Sequence, residues 1–283
     1  LPMHAFEKVE TAEEFTGTMR QPDGSDELAD HLDALQEVNL GELLRGGPSA
    51  GSAMKADLAL GRAYNRWIAS YCERHPTRLI GCGQTAMRTP EDGVRDLHAI
   101  KALGLRGVMM PGNPAVEDYD SPLYNPIWEA AIELELPLSF HILTTRSQGP
   151  TRGPRINSFL SIIRGNQDIM GTLIFGGVFE RYPSLRVVCA EADAGWVPHY
   201  MYRMDHAYKR HRNWLAPGTA LSKLPSEYFA EHIYTTFQDD WVAFKMANDM
   251  NWRRLMWASD FPHSDSTWPW SQDVIAQQTA HLA

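Results

Sequence analysis

Short apolar runs recur along the chain at Leu79–Gly83, Leu105–Met110, Leu138–Leu143, Leu185–Ala190, Ile233–Phe237 and Leu255–Ala258. Each is bounded by Gly, Pro or polar turn residues and is too short for a helix, so the pattern predicts six strands. Between them lie stretches with apolar residues at helical spacing: Pro90–Leu103, Pro122–Leu134, Ile169–Arg181, Gly195–His211 and Trp241–Met250. Strands apolar throughout, alternating with helices, predict a parallel sheet buried on both faces. Upstream, Lys55–His75 reads as a helix carrying Leu58, Leu60, Tyr64, Trp67, Ile68 and Tyr71, closed by Pro76. Ser25–Leu44 shows a weaker stripe of Leu28, Leu32, Leu35 and Val38, stopped by Gly46-Gly47-Pro48.

Two architectures satisfy this alternation, a doubly wound sheet and a (β/α)8 TIM barrel. No GxGxxG or GxxxxGK opens any of the helices, which removes the nucleotide-binding rationale for the doubly wound sheet. The barrel is favoured, with its first strand or strands missing or degenerate in the listless polar stretch at the amino end. No internal repeat and no long interior linker divide the chain. The expectation is one α/β domain over residues 1–283, with an irregular part at 1–52 and barrel strands and helices from 53 to 283.

Composition narrows the function classes. Of 283 residues, 43% are hydrophobic and 10% aromatic, and no run is long and apolar enough for a membrane span. Lys and Arg number 26 against 35 Asp and Glu, a formal charge of −9 with no basic stripe. Nucleic acid and anionic membrane are therefore not expected partners; a small molecule is. The three cysteines, Cys72, Cys82 and Cys189, are widely spaced and partly within apolar runs, which reads as buried free thiols in a reducing cytoplasm. The start LPMHAFEKVE has no secretory pattern, and its Leu1 hints at a chain that omits native residues.

Chemistry gathers at the carboxyl ends of the strands. Leu138–Leu143 carries His141, Leu185–Ala190 runs directly into Glu191, and Leu255–Ala258 is followed by Asp260 and then His263. The carboxyl ends of parallel strands face the ligand in α/β folds, and buried strands do not end in ionisable groups without a partner or a metal. An imidazole with carboxylates and no nearby thiolate suits one divalent ion, zinc first and manganese or iron as alternatives, with a position left for water. The predicted ligands are His141, Glu191 and Asp260, and the predicted catalytic groups Asp260, Glu191 and His263. Trp196, Phe261 and Trp268 lie next to them in sequence and are candidates for a substrate pocket. His199, His206 and His211 share a helix with Arg203, Lys209 and Arg210 and read as a solvated face. No GxSxG elbow is present.

Four blocks of this sequence resemble the amidohydrolase-related (amidohydrolase 2) family of metal-dependent TIM-barrel hydrolases and decarboxylases. They are RAYNRWIASYCERHPTRLIGCG, SPLYNPIWEAAIELELPLSFHI, LIFGGVFERYPSLRVVCAEADAGWVPHYMYRMDHAY and LMWASDFPHSDSTWP, and the resemblance covers about residues 57 to 270. It implies that His141 and Asp260 ligate the metal, and that related members often carry a histidine where this chain has Glu191. It also implies a His-x-His or Glu-x-His ligand pair on the first strand, which this sequence lacks. Either native amino-terminal residues precede Leu1 or half of the ligand set has been lost. Family resemblance adds a possible homodimer.

Three readings follow. The first is a metal-dependent hydrolase of a small, partly aromatic or carboxylated compound, in which Asp260 takes a proton from metal-bound water and Glu191 orients water or substrate. The second is a non-oxidative, metal-dependent decarboxylase of an aromatic or unsaturated carboxylic acid, in which an acid such as Asp260 delivers a proton to carbon. The third is a metal-free binding protein of the same fold. Residue spacing alone does not separate them.

Overall fold

The computed structural model describes residues 50–145, 153–215, 218, 220–263 and 265–282. Nearly all of the irregular part expected at 1–52, with the Ser25–Leu44 stripe inside it, lies outside these residues. The chain divides between Val108 and Met109 into two compact units.

In the first unit, helix α1 (Ala50–Glu73) is followed by strand β1 (Gly83–Gln84) and helix α2 (Pro90–Ala102). Helix α1 begins at Ala50, five residues before the predicted Lys55 and within the part expected to be irregular. Asn65 clips α1 to β1, donating to the Gln84 carbonyl at 2.8 Å and accepting from the Gln84 N–H at 2.7 Å. Helix α2 starts where the sequence dictates: the Thr89 side chain accepts from the Asp92 N–H, Pro90 supplies a preset φ, and Glu91 and Asp92 face the positive end of the helix dipole. Leu97 and Ile100 are fully buried, and Ile100 packs so closely on β1 that a Cβ at Gly83 would lie 2.7 Å from its Cγ1.

Strand β2 (Val108–Met110) leads into the second unit, which carries β3 (Leu138–His141), β4 (Val187–Ala190), β5 (Ile233–Phe237) and β6 (Leu255–Trp257). The last four pair in parallel and in chain order, with His141 level with Ala190, Cys189 with Thr235, and Phe237 with Trp257. Helices α3 (Asn125–Glu133), α4 (Arg164–Phe175), α5 (Val178–Arg181), α6 (Val197–His211), α7 (Pro225–His232), α8 (Trp241–Lys245) and α9 (Ser271–Thr279) complete the unit. The helix expected at Ile169–Arg181 is two helices: Gly176 caps the first and Gly177, at φ 68°, turns the chain into the second. Helices α7 and α9 have no counterpart in the predicted set.

Burial alternates along the strands. Leu138 and Phe140, Val187 and Cys189, and Ile233, Thr235 and Phe237 are fully buried, while Ser139, His141, Val188, Ala190, Tyr234 and Thr236 are half-buried. The sequence predicted burial on both faces; the structure gives a tightly covered face and a looser one. The tight face is the core, with the Tyr119 ring against those of Tyr124, Trp128 and Phe140, and Phe179 stacked on His232. The apolar area that these side chains remove from water stabilises the fold at about 25 cal/mol per Å². The looser face bears the ionisable residues. Among the described residues no helix is long and apolar enough to cross a membrane.

Candidate metal centre

Parallel pairing places the carboxyl ends of β3, β4 and β6 at one end of the sheet, and there His141, Glu191 and Asp260 converge. His141 is the last residue of β3, Glu191 follows β4 directly, and Asp260 lies three residues past β6. The His141 Nε2 contacts Glu191 Oε2, and the His141 Nδ1 lies 2.7 Å from the Ile142 carbonyl. A carbonyl and a carboxylate both only accept hydrogen bonds, so Nδ1–H donates to the Ile142 carbonyl and Nε2–H to Glu191, the arrangement of an imidazolium. Glu191, Asp260 and His263 each present an oxygen or nitrogen within 4.8 Å of the others. His263 Nδ1 stands 3.1 Å from Asp260 Oδ2.

Both carboxylates sit on left-handed backbone, Glu191 at φ 58° and Asp260 at φ 57°, a conformation that costs a non-glycine residue about 1–3 kcal/mol. The surroundings hold it in place. The Glu191 N–H donates to Thr236 Oγ1 at 2.6 Å. Two residues of the following loop, Ala194 and Gly195, donate their N–H groups to Asp240 Oδ2 at 2.8 and 2.6 Å. Asp240 Oδ1 accepts in addition from Ala243 N at 3.1 Å, capping α8. On the other side the Trp196 indole N–H reaches the carbonyls of Ala192 and Asp193 at 2.7 and 3.0 Å.

The charges are mutually tuned. Burial alone would lower the His141 imidazole, but the Glu191 carboxylate and the Ile142 carbonyl, with the charge of Asp260, raise it overall. The His141 contact, opposed by burial, draws Glu191 below the usual carboxylate range. Asp260 moves the other way, raised by burial and by the neighbouring Glu191 charge. Two adjacent carboxyls thus diverge, Glu191 toward the anion and Asp260 toward the acid.

The donor set fits a divalent ion. Asp260 Oδ2 is buried without a directed hydrogen bond, although His263 lies beside it. Such an oxygen is costly to leave without a partner, and a cation among Glu191, Asp260 and His263 would supply one. Oxygen and imidazole donors without thiolate suit manganese, zinc or ferrous iron. His263 thus stands inside the cluster that could hold an ion as well as among the predicted acids and bases, while His141, predicted as a ligand, reaches that cluster through Glu191.

The predicted pocket residues take different positions. Phe261, directly after Asp260, and Trp268 are mostly exposed and meet edge to face, 5.2 Å between centroids. Trp196 packs edge-on against Tyr200 and Phe229 and spends its N–H on the loop after Glu191. Cys189 is fully buried, as the sequence indicated, and burial pushes its thiol up to about 12. A cavity of about 470 Å³ lies toward the amino ends of the same strands, lined by Pro137, Leu185, Arg186 and Tyr234 among others, away from the ionisable cluster. Thr236 and Asp240, which hold the Glu191 loop, were not singled out from sequence. Asp240 follows a strand end and precedes a short helix, a signal of the kind that flagged Glu191; Thr236 is an ordinary β-branched strand residue.

The amidohydrolase family model matches residues 39–282. The chain is 26% identical over 209 residues to the 2-amino-3-carboxymuconate-6-semialdehyde decarboxylase of Dictyostelium discoideum, covering 72% of this chain. It spans 57% of the length of that relative. Among solved structures it resembles 5-carboxyvanillate decarboxylase from Sphingomonas paucimobilis, with a TM-score of 0.64 at 23% identity over 81% of this chain and 73% of that one. It also resembles the 5-carboxyvanillate decarboxylase of Novosphingobium aromaticivorans complexed with manganese and 4-hydroxy-3-methoxy-5-nitrobenzoic acid, with a TM-score of 0.66 at 22% identity over 80% of this chain and 65% of that one. These likenesses show the fold, the amidohydrolase-like (β/α)8 TIM barrel expected from the alternating strands and helices. Because that family model matches residues 39–282, most of the chain, the chain belongs to the amidohydrolase family.

Proposed function

We propose that this chain carries the site of a non-oxidative, divalent-metal-dependent decarboxylase acting on an aromatic or unsaturated carboxylic acid. The observation that carries this reading is the pairing of Glu191 with Asp260 at the strand ends, in a chain whose similar proteins include decarboxylases of such acids. Between the two reactions left open by the sequence, the relatives favour loss of carbon dioxide over hydrolysis. Manganese, present in one of those relatives, takes precedence over the zinc first expected.

Glu191, Asp260 and His263 would hold the ion, and His141 would orient Glu191 through its Nε2. When bound, the ion supplies positive charge that a substrate carboxylate and a neighbouring oxygen can share. Asp260, whose carboxyl is raised toward the acid form, would give a proton to the carbon that loses the carboxyl group. The carbon–carbon bond breaks, its electron pair stays on the ring carbon, and the proton replaces carbon dioxide there. Phe261, next to Asp260 in the chain, and Trp268, in ring contact with Phe261, would offer apolar faces to an aromatic ring.

The test is incubation with Mn²⁺ and a panel of hydroxybenzoates, carboxyvanillate and aminocarboxymuconate semialdehyde, with products followed by mass spectrometry in heavy-oxygen water and in D2O. Decarboxylation predicts carbon dioxide release, one deuterium on carbon and no heavy oxygen in the organic product. Heavy oxygen in the organic product would return the assignment to a hydrolase. Replacement Asp260→Asn is expected to cut turnover by about 10²- to 10⁴-fold, the range for loss of a positioned proton donor.

A further inference from the structure

Asn166 is fully buried in the first turn of α4, far in sequence from the ionisable residues. Its side-chain Nδ2 donates to the Phe140 carbonyl at 2.9 Å and to the Ala190 carbonyl at 3.2 Å, and lies 3.5 Å from Cys189 Sγ. Phe140 immediately precedes His141, and Ala190 immediately precedes Glu191. One amide group therefore bridges the two strands just before their reactive side chains. We propose that Asn166 is a positioning residue that holds the ends of β3 and β4 at the spacing the His141–Glu191 contact needs.

Three features support this role over plain filling of the core. The ladder bond that closes this end, Ile142 N–H to the Ala190 carbonyl, is 3.3 Å long, against 3.1 Å for Leu138 N–H to the Arg186 carbonyl at the other end. Asn166 thus reinforces the strand pair where backbone pairing is about to stop. Second, Asn166 Oδ1 has no hydrogen-bond partner although it is buried. Rotating the amide by half a turn would set that oxygen against two carbonyl oxygens, so the orientation is fixed by the two strands. A leucine of similar volume would avoid the orphaned oxygen, so the amide is retained at a cost in stability. Third, the preceding Gly165 lets the helix approach the loop after β3: a Cβ there would lie 2.1 Å from Thr145 Oγ1. The glycine brings Asn166 within reach of both carbonyls.

The link from strand spacing to ion affinity rests on the metal-site reading above; the link from Asn166 to strand spacing does not. Asn166→Leu removes both donors and keeps the volume, and Asn166→Ser removes the reach and serves if the leucine variant does not fold. Hydrogen exchange in the metal-free protein reads the strand ends, and Mn²⁺ titration followed by electron paramagnetic resonance reads the ligand set. The expected result is at least ten-fold faster exchange in peptides spanning 138–145 and 187–194, unchanged exchange at 233–237, and at least ten-fold weaker Mn²⁺ binding. Unchanged exchange at the first two segments would overturn the proposal. Faster exchange with Mn²⁺ affinity within two-fold of the unaltered protein would also overturn it, reducing Asn166 to a structural clip. If the unaltered protein takes up no Mn²⁺, the metal-site reading fails, and the exchange comparison alone then decides whether Asn166 sets the strand spacing.

Discussion

Replacing Asp240 by Ala is the sharpest test of how the Glu191 loop is held. Asp240 is 8% exposed, and its carboxylate accepts from the N–H groups of Ala194, Gly195 and Ala243. Alanine supplies no acceptor, and a Cβ at Gly195 would already lie 2.7 Å from Val242 Cβ, so the loop has little room to shift toward new partners. Two orphaned loop amides at about 1.5 kcal/mol each, with about 1 kcal/mol for the lost helix cap, come to about 4 kcal/mol. At about 3 °C per kcal/mol for a chain of this size, the unfolding midpoint should fall by about 12 °C. The assay is thermal and urea unfolding followed by tryptophan fluorescence, beside Asp239→Ala at the neighbouring exposed position, which should change stability by less than about 0.5 kcal/mol. A loss below about 1 kcal/mol in Asp240→Ala would refute the reasoning, because it would mean that those amides do not depend on this carboxylate.

His232 gives a pH-dependent prediction. It is buried, stacked on Phe179, and its Nδ1 lies 3.0 Å from the Leu185 carbonyl; burial, together with the nearby Arg186, lowers its pKa. The unfolded chain therefore takes up a proton on this imidazole before the folded one does. Its contribution is complete above the ordinary imidazole value of about 6.5 and is lost as pH falls below it. In His232→Asn, which keeps a donor toward Leu185, the stability deficit relative to the unaltered protein should narrow between pH 7 and 5.5; a deficit independent of pH would count against the assignment. For Cys189, whose buried thiol is pushed up to about 12, thiol reagents at neutral pH should label it only on unfolding. Peptide mapping that finds it modified in the native protein at the rate of half-buried Cys72 would contradict its placement.

Much of the barrel and part of the site were legible in the chain. Apolar runs bounded by turn residues located β2 to β6, because a strand covered by helices needs continuous apolar side chains whatever the remaining details; the run Leu79–Gly83 meets the two-residue β1 only at Gly83. The same logic exposed His141, Glu191 and Asp260, since an ionisable residue at the end of such a run has no cheap place to go unless the strand ends face a ligand. Helix α7 escaped because PSEYFAEH is only two turns long and mixes polar and apolar residues without a clear stripe.

The sequence by itself determined the alternation of strands and helices, the family and the three strand-end residues, because each is written in local periodicity or in a contiguous motif. Only the tertiary structure decided that Asp240 and Thr236 hold the Glu191 loop, that Asn166 bridges β3 and β4, and that His263 turns back toward Asp260. Those roles depend on hydrogen bonds between elements 20 or more residues apart or on the path of a single loop. An Asn in a helix or a Thr in a strand is chemically ordinary until parallel pairing brings a second strand end beside it. It is that pairing, set by the register of β3, β4 and β5, that turns separate polar residues into one site.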